Sequence, residues 1–145
     1  MKEIQGNLWD YAGENWVVIT TNGSIKKNGH AVMGRGVALE AAVLYPTLPD
    51  ELGTFLRNYG NHIFMFGDYK LLTLPVKHRW FEKADPDLIE QGLIELATMK
   101  QENDGWLSDN IYMTRPGCGN GGLDWVYVRP LLQYYLDDSF IVVQN

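Results

Sequence analysis

The segment from Pro116 to Leu123 is rich in glycine and is the part of the chain best suited to holding an anion. Four of its six inner positions are glycine. A residue without a Cβ can adopt a positive φ and lets a ligand approach the main chain closely. Successive exposed N–H groups in such a loop bind anions, and a diphosphate is their usual occupant. The segment therefore predicts a phosphate-binding loop, and a strained turn without a ligand is the alternative.

A second glycine element, with Gly34 and Gly36, precedes an apolar helical pattern. It does not match the dinucleotide-binding fingerprint, because Leu39 occupies the third glycine position, and it is not a Walker A loop, because no Gly-Lys-Ser/Thr follows. Two such loops in one small domain would be able to hold the two phosphates of one ligand from opposite sides.

The elements that must position these loops alternate along the chain. Short apolar runs predict strands and longer periodic segments predict helices. One helix begins with Asp85 as its N-cap and Pro86 in its first turn. The predicted strands are 16–20, 63–66, 71–74, 110–114 and 140–143, and the predicted helices are 33–44, 49–58, 85–101 and 130–136. This order predicts an α/β fold, a three-layer α/β/α sandwich around a mixed, mostly parallel sheet. The glycine loop follows a strand, where ligands collect in open α/β sheets.

Composition limits the class of protein. A length of 145 residues, 46% of them apolar, suits a single domain over residues 1–145. No apolar run approaches the roughly 20 residues that span a bilayer. A net charge of −6 disfavours sequence-independent binding to nucleic acid. The lone cysteine favours a reducing, cytoplasmic setting. The histidines lack metal-ligand spacing, so we expect no metal. We also expect no membrane segment and no cofactor. The oligomeric state stays open.

Three motifs resemble those of macro domains, the ADP-ribose-binding modules. They are "TTNG" with "GHAVMGRGVALEAAVLYP", "LLTLPVKHRW", and "RPGCGNGGLDWVYVRPLL". The resemblance covers nearly the whole chain, and the third motif is its most specific part. The chain is similar to the branch that contains terminal ADP-ribose protein glycohydrolases and the antitoxin macro domains that remove ADP-ribose from DNA bases. It departs from the family in "SIKKNGHAV", which is longer than the usual link.

The resemblance implies roles for three side chains. Lys77 matches the lysine that attacks the anomeric carbon of the distal ribose, a reaction that requires a neutral amine. Asp124 matches the acid/base group at the ribosyl bond, and Asn22 would bond the distal ribose hydroxyls. From the residues alone, Lys77 also fits an ordinary surface lysine, Asp124 a helix cap and Asn22 a turn residue.

The resemblance also implies a set of residues that contact the ligand, largely through their main chains. Cys118 lies in this set, but no histidine is near it in sequence, so we interpret its thiol as a packing group. The predicted ligand-binding residues are Thr21, Asn22, Met33, Gly34, Arg35, Gly36, Val37, Pro116, Gly117, Cys118, Gly119, Asn120, Gly121, Gly122 and Leu123.

Hydrolysis of an ADP-ribosyl bond is the leading functional hypothesis. The ADP-ribose would be attached to a protein carboxylate, a nucleobase or a small acyl group, so the expected partner is ADP-ribose or an ADP-ribosylated protein or nucleic acid. A protein that only binds ADP-ribose is the first alternative. A phosphatase that acts on ADP-ribose-1''-phosphate is the second.

Overall fold

The computed structural model describes residues 1–105, 107 and 110–145. Strands and helices alternate along most of this chain. The strands are β1 (Lys2–Gln5), β2 (Trp16–Asn22), β3 (Met65–Phe66), β4 (Leu71–Lys77), β5 (Ile111–Met113) and β6 (Phe140–Gln144). The helices are α1 (Gly36–Leu44), α2 (Leu48–Tyr59), α3 (Pro86–Glu102) and α4 (Trp125–Tyr135), and a short 3-10 helix covers Leu8–Asp10.

Within the described residues, one sheet of six strands has the order β1-β6-β5-β2-β4-β3. Neighbouring strands are parallel, except that β3 runs antiparallel to β4. The parallel strands β2, β4, β5 and β6 therefore end at the same edge of the sheet. The β3–β4 pair is the hairpin that Gly67-Asp68 predicts between two apolar runs.

Two apolar cores lie on opposite faces of the sheet. On β2, the side chain of Val18 joins the core under α3 and α4, whereas Val17 and Ile19 join the core under α1 and α2. On β6, Val142 and Ile141 divide in the same way. This alternation follows from the two-residue period of a strand. It confirms the predicted three-layer sandwich with a mixed, mostly parallel sheet.

Side-chain caps set the start of two helices. Asp85 Oδ1 accepts a hydrogen bond of 2.9 Å from the N–H of Asp87 at the start of α3. At the start of α4, Asp124 Oδ1 accepts one of 3.1 Å from the N–H of Val126. Such caps satisfy N–H groups that have no partner within the helix.

The structure corrects several predicted boundaries. The helix expected at 130–136 begins at Trp125, because the Asp124 cap outweighs the preference of proline for the first turn, and Pro130 lies inside it. The helix expected from residue 33 begins at Gly36, since Arg35 is extended. β1 was not predicted, because only one of its four residues, Ile4, is apolar.

Candidate functional site

A cavity of about 550 Å³ opens at the carboxyl edge of the parallel strands. Asn22 and Lys77, the last residues of β2 and β4, line it, and so do Thr114 and Asn145, which directly follow β5 and β6. This volume lies within the range of about 300–1,000 Å³ that is typical of small-molecule sites. We call it the main cavity.

The two glycine elements meet in the main cavity. A Cβ added to Gly36, at the start of α1, would lie 3.2 Å from Asn120 Nδ2 in the glycine loop. The ends of the two elements are therefore in near contact, as the sequence predicts for a shared ligand. The predicted residues that line the main cavity are Thr21, Asn22, Met33, Gly34, Arg35, Gly36, Val37, Lys77, Gly117, Gly119, Asn120 and Gly121.

Main-chain hydrogen bonds fold the glycine loop into a compact turn. Leu123 N donates to Gly117 O over 2.9 Å, and Gly122 N donates to Gly119 O over 3.1 Å. A Cβ on Gly121 would lie 2.5 Å from Gly117 O and 2.8 Å from Ala84 Cβ, so a side chain does not fit there. The glycine at this position is required by the loop itself, whatever the ligand.

The N-terminus of α1 lines the main cavity, as the glycine loop does. Arg35 is extended, and no side chain among the described residues caps this helix. Leu39 N is bonded to Arg35 O over 3.2 Å, so the N–H groups of Gly36, Val37 and Ala38 precede the first donor of the helical ladder. These groups and the helix dipole favour an anion here.

Asn22 uses its amide to hold the turn after β2. Its Nδ2 donates to Val32 O over 3.1 Å, and its Oδ1 accepts from Ser24 N over 2.9 Å. An asparagine amide has two N–H donors and two lone pairs. One donor and one acceptor site of Asn22 therefore remain for a ligand in the main cavity.

Lys77 is half-buried at the end of β4, and its ammonium group reaches the loop that follows. Lys77 Nζ donates to Trp80 O over 3.3 Å, and Asn61 Nδ2 donates to Lys77 O over 3.0 Å. Both the main chain and the side chain of Lys77 are therefore held by neighbours. Trp80 itself lines the main cavity beside Lys77.

A hydrogen bond between two side chains closes the base of the loop after Lys77. His78 Nε2 lies 2.7 Å from Asp85 Oδ2. The hydrogen bond from His78 lowers the pKa of Asp85 below its ordinary value, and bonds from the N–H groups of Asp87 and Leu88 act in the same direction. The loop is thus tied to the start of α3.

Asp124 lies on a second cavity, of about 650 Å³, which adjoins the main one. The two cavities share Thr114, Arg115, Gly119 and Asn145. Cys118, Gly122 and Leu123 also line this adjoining cavity, whereas Pro116 is buried and lines neither. Lys77 and Asp124 therefore line adjoining cavities, which meet at the four shared residues.

The thiol of Cys118 is held in an apolar setting. Burial raises the pKa of the thiol; the charge of Arg115 opposes this rise, and the charge of Asp124 adds to it. The Sγ atom donates to Pro116 O over 3.5 Å. These features agree with the interpretation of Cys118 as a packing residue.

Sequence reasoning missed several residues of the main cavity. Arg115 precedes the glycine loop, stacks its guanidinium 5.0 Å from the ring centre of Trp125, and donates to Gln144 Oε1. Its place directly before the loop is the signal that would have identified it. The other missed residues lie within the quoted motifs or at strand ends, and none of them carries a phosphate-binding signature of its own. They are Thr20, Val32, Ala38, Glu40, Val76, Trp80, Thr114 and Asn145.

The described residues form neither a metal site nor a membrane-spanning helix. Among them, no group of three or more His, Cys, Asp or Glu side chains is placed to hold a metal ion. None of the helices that they form has the length and apolar character needed to cross a bilayer.

The three-layer sandwich with two glycine elements at its carboxyl edge is the macrodomain fold. Among solved structures, the chain is similar to the macrodomain of Mycobacterium tuberculosis DarG, with a TM-score of 0.79, 24% identity, and coverage of 99% of this chain and 97% of that one. It is also similar to the macrodomain of Thermus aquaticus DarG, with a TM-score of 0.77, 25% identity and the same coverage.

A third similar structure is Thermosipho africanus DarTG in complex with ADP-ribose, with a TM-score of 0.75 and 17% identity. The similar region covers 99% of this chain and 42% of the Thermosipho africanus chain. No protein-family model matches the sequence, and no curated protein matches it. The similarity to the two DarG macrodomain structures confirms the predicted resemblance to a macro domain.

Proposed function

We propose that this protein binds ADP-ribose in the main cavity and hydrolyses an ADP-ribosyl bond there. The observation that carries the proposal is the convergence of both glycine elements with Asn22 and Lys77 on one cavity. The solved Thermosipho africanus DarTG structure, which has the same fold over this chain, contains ADP-ribose. The substrate is ADP-ribose attached to a protein carboxylate, a nucleobase or a small acyl group.

The diphosphate lies between the start of α1 and the glycine loop. The main-chain N–H groups of Gly36 and Val37 donate to it from one side, and those of the glycine loop donate from the other. This arrangement needs no cationic side chain, which is consistent with the net charge of −6. The guanidinium of Arg115, which lines the same cavity, adds positive potential.

The distal ribose lies toward the ends of β2 and β4. Asn22 offers it one amide donor and one acceptor site. Lys77 lies next to Asn22 across the two strands, so its amine approaches C1'' of the same sugar. Asn22 thus orients the ribose, and Lys77 attacks it from the adjacent position of the sheet.

The proposed reaction has two steps. The neutral Nζ of Lys77 attacks C1'', and an N–C1'' bond forms as the bond between C1'' and the leaving group breaks. The leaving group takes up the proton that the attacking nitrogen loses. Water then cleaves the N–C1'' bond, which releases ADP-ribose and restores the lysine. Asp124 is proposed to move protons at the ribosyl bond from the adjoining cavity.

A second candidate function is recognition of ADP-ribose without chemistry. It is favoured by the position of Asp124, which lines the adjoining cavity and caps α4. In this case Asp124 only fixes the glycine loop to the helix, and Lys77 contributes a positive charge next to the ligand.

A panel of substrates with three variants separates these functions. The substrates are ADP-ribosylated aspartyl or glutamyl protein, ADP-ribosylated thymidine or guanine in DNA, acetyl-ADP-ribose, and the 1''-phosphate. Asp124→Asn keeps an N-cap but loses the charge, whereas Asp124→Ala loses both. Loss of turnover in Asp124→Asn and Lys77→Ala, with ADP-ribose binding retained, supports hydrolysis. Tight binding in calorimetry without release from any substrate favours recognition alone, and phosphate release from the ester alone indicates a phosphatase.

A further inference from the structure

The loop after Lys77 is fixed to the turn after β2 through main-chain groups. Gly23 N donates to His78 O over 3.2 Å, and Ser24 Oγ accepts from Trp80 N over 3.0 Å. The carbonyl of the same Trp80 accepts from Lys77 Nζ over 3.3 Å. The residue that donates to Ser24 is therefore the residue that holds the amine of Lys77.

We infer that Ser24 is a positioning residue for Lys77, acting through the main chain of Trp80. The inference rests on the proposed function, in which Lys77 Nζ attacks the distal ribose. The Ser24 hydroxyl fixes the N–H of Trp80, and this bond orients the carbonyl that receives the Lys77 amine. Ser24 itself does not need to contact the ligand.

Ser24 is well placed for this role because both of its own main-chain groups are bonded. Its N–H donates to Asn22 Oδ1 over 2.9 Å, and its carbonyl accepts from Val32 N over 3.0 Å. The hydroxyl therefore projects from a fixed turn. The same Asn22 that is proposed to orient the ribose holds Ser24, so one hydrogen-bonded series links the ribose-binding amide to the attacking amine.

The segment after β2 supplies this series. Ser24 begins the segment "SIKKNGHAV", which forms a hairpin with a bridge between Ile25 and Ala31. The hairpin packs on α2, where Ala31 N donates to Pro49 O over 2.8 Å. This hairpin thus places a fixed hydroxyl beside the loop of Lys77.

The bond to Ser24 is the contact that holds the N–H of Trp80 itself, whereas further hydrogen bonds of this loop are made by His78, Arg79 and Glu82. Trp80 is 50% exposed, and its neighbour Phe81 is 62% exposed. Without the Ser24 hydroxyl, the N–H of Trp80 can bond to water, so the cost to folding is small. The carbonyl of Trp80 would then sample several orientations, and the flexible side chain of Lys77 would lose its fixed acceptor.

The test compares Ser24→Ala, which removes the hydroxyl, with Ser24→Thr, which keeps it. Thr98→Ala is the matched control, because Thr98 Oγ1 bonds only Ile94 O on the outer face of α3 among the described residues and lies outside both cavities. We expect Ser24→Ala to lower kcat about tenfold, since misplacement of a reacting group by about 1 Å costs up to about 100-fold. KM and the Kd for ADP-ribose should change by less than about twofold. Ser24→Thr should restore kcat.

A second readout does not require turnover. The rate at which an amine-specific acylating reagent modifies Lys77, measured by peptide mass spectrometry, should rise about threefold in Ser24→Ala, because the Nζ of Lys77 loses its fixed acceptor at Trp80 O. It should stay at the wild-type rate in Ser24→Thr and Thr98→Ala. If the wild type hydrolyses no substrate, the proposed function fails while this comparison still tests the positioning. An unchanged Lys77 modification rate and unchanged kcat in Ser24→Ala would overturn the inference.

Discussion

Asn22 and Lys77 are partners across β2 and β4, and the register of the two strands shifts by one residue just before this pair. Thr21 pairs with Pro75, whereas Asn22 pairs with Lys77, so Val76 is passed over. This irregularity brings the ends of the two strands side by side on the main cavity. In the proposed function, a ribose bound to the amide of Asn22 lies beside Lys77, because the two residues are partners across the strands.

Replacement of Lys77 tests its role as nucleophile. Lys77→Ala and Lys77→Arg should both lower turnover by about 100-fold or more, because neither supplies a neutral amine at that position. Arginine keeps the positive charge, so Lys77→Arg should bind ADP-ribose close to the wild-type Kd. Single-turnover kinetics and calorimetry measure the two effects separately. Turnover by Lys77→Arg at the wild-type rate would assign Lys77 an electrostatic role instead.

Replacement of one glycine tests the structure of the glycine loop. Gly121→Ala should lower the free energy of unfolding by about 1–3 kcal/mol, because the new Cβ meets the main chain at Gly117 and the side chain of Ala84. Binding of ADP-ribose should weaken as well, since the N–H groups of the loop move. Denaturant unfolding and calorimetry check both expectations.

Gly119 supplies the matched control for this effect. No described atom lies within 4 Å of a Cβ added to it, so Gly119→Ala should leave the free energy of unfolding unchanged within about 0.5 kcal/mol. Gly119 lines the main cavity, and a methyl group there should weaken binding alone. Equal destabilisation by the two alanines would contradict the assignment of Gly121 as the packed position.

The layers of the fold could be predicted because their signals are local. The cap at Asp85, the turn at Gly67-Asp68 and the apolar run of β2 each depend on adjacent residues. β1 escaped prediction, because its exposed edge carries one apolar residue and its pairing with β6 joins opposite ends of the chain. The start of α4 was misplaced because two N-terminal signals, Asp124 and Pro130, compete within one segment.

The candidate site could be predicted only where a loop carries its own signature. The glycine loop and the element with Gly34 and Gly36 carry such signatures, and the structure places them together. Thr114 and Asn145 join the cavity because β5 and β6 are parallel neighbours, which no local spacing reveals. The distribution of Lys77 and Asp124 over two adjoining cavities depends in the same way on how the glycine loop turns.

The hydrogen bond between His78 and Asp85 predicts a pH dependence of stability. Because the folded-state pKa of Asp85 is lowered, chiefly by the bond from His78, its contribution is present above the ordinary pKa of an aspartate and is lost as the pH falls through the lowered value. The pair is partly exposed, so the contribution should be less than about 1 kcal/mol. His78→Gln should reduce the loss of thermal stability between neutral and acidic pH, as measured by calorimetric melting.

His62, whose Nδ1 lies 3.3 Å from Glu95 Oε1, provides the control for this measurement. His62→Gln removes a histidine of similar exposure without touching Asp85. Its melting curve should keep the acid-dependent loss that is assigned to Asp85. The prediction fails if His78→Gln and the wild type lose the same stability over the acidic range.

The raised pKa of Cys118 predicts that its thiol reacts slowly with alkylating reagents. Burial disfavours the thiolate, so at a given pH a smaller fraction of Cys118 is ionised than of an ordinary cysteine. Alkylation by iodoacetamide near neutral pH should therefore be about tenfold slower in the folded protein than in the protein unfolded by urea. Cys118→Ser keeps the size of the side chain and removes the thiol, so its turnover should remain near that of the wild type. Alkylation of the folded and unfolded chains at equal rates, or loss of turnover in Cys118→Ser with ADP-ribose binding retained, would instead make Cys118 a reactive group of the site.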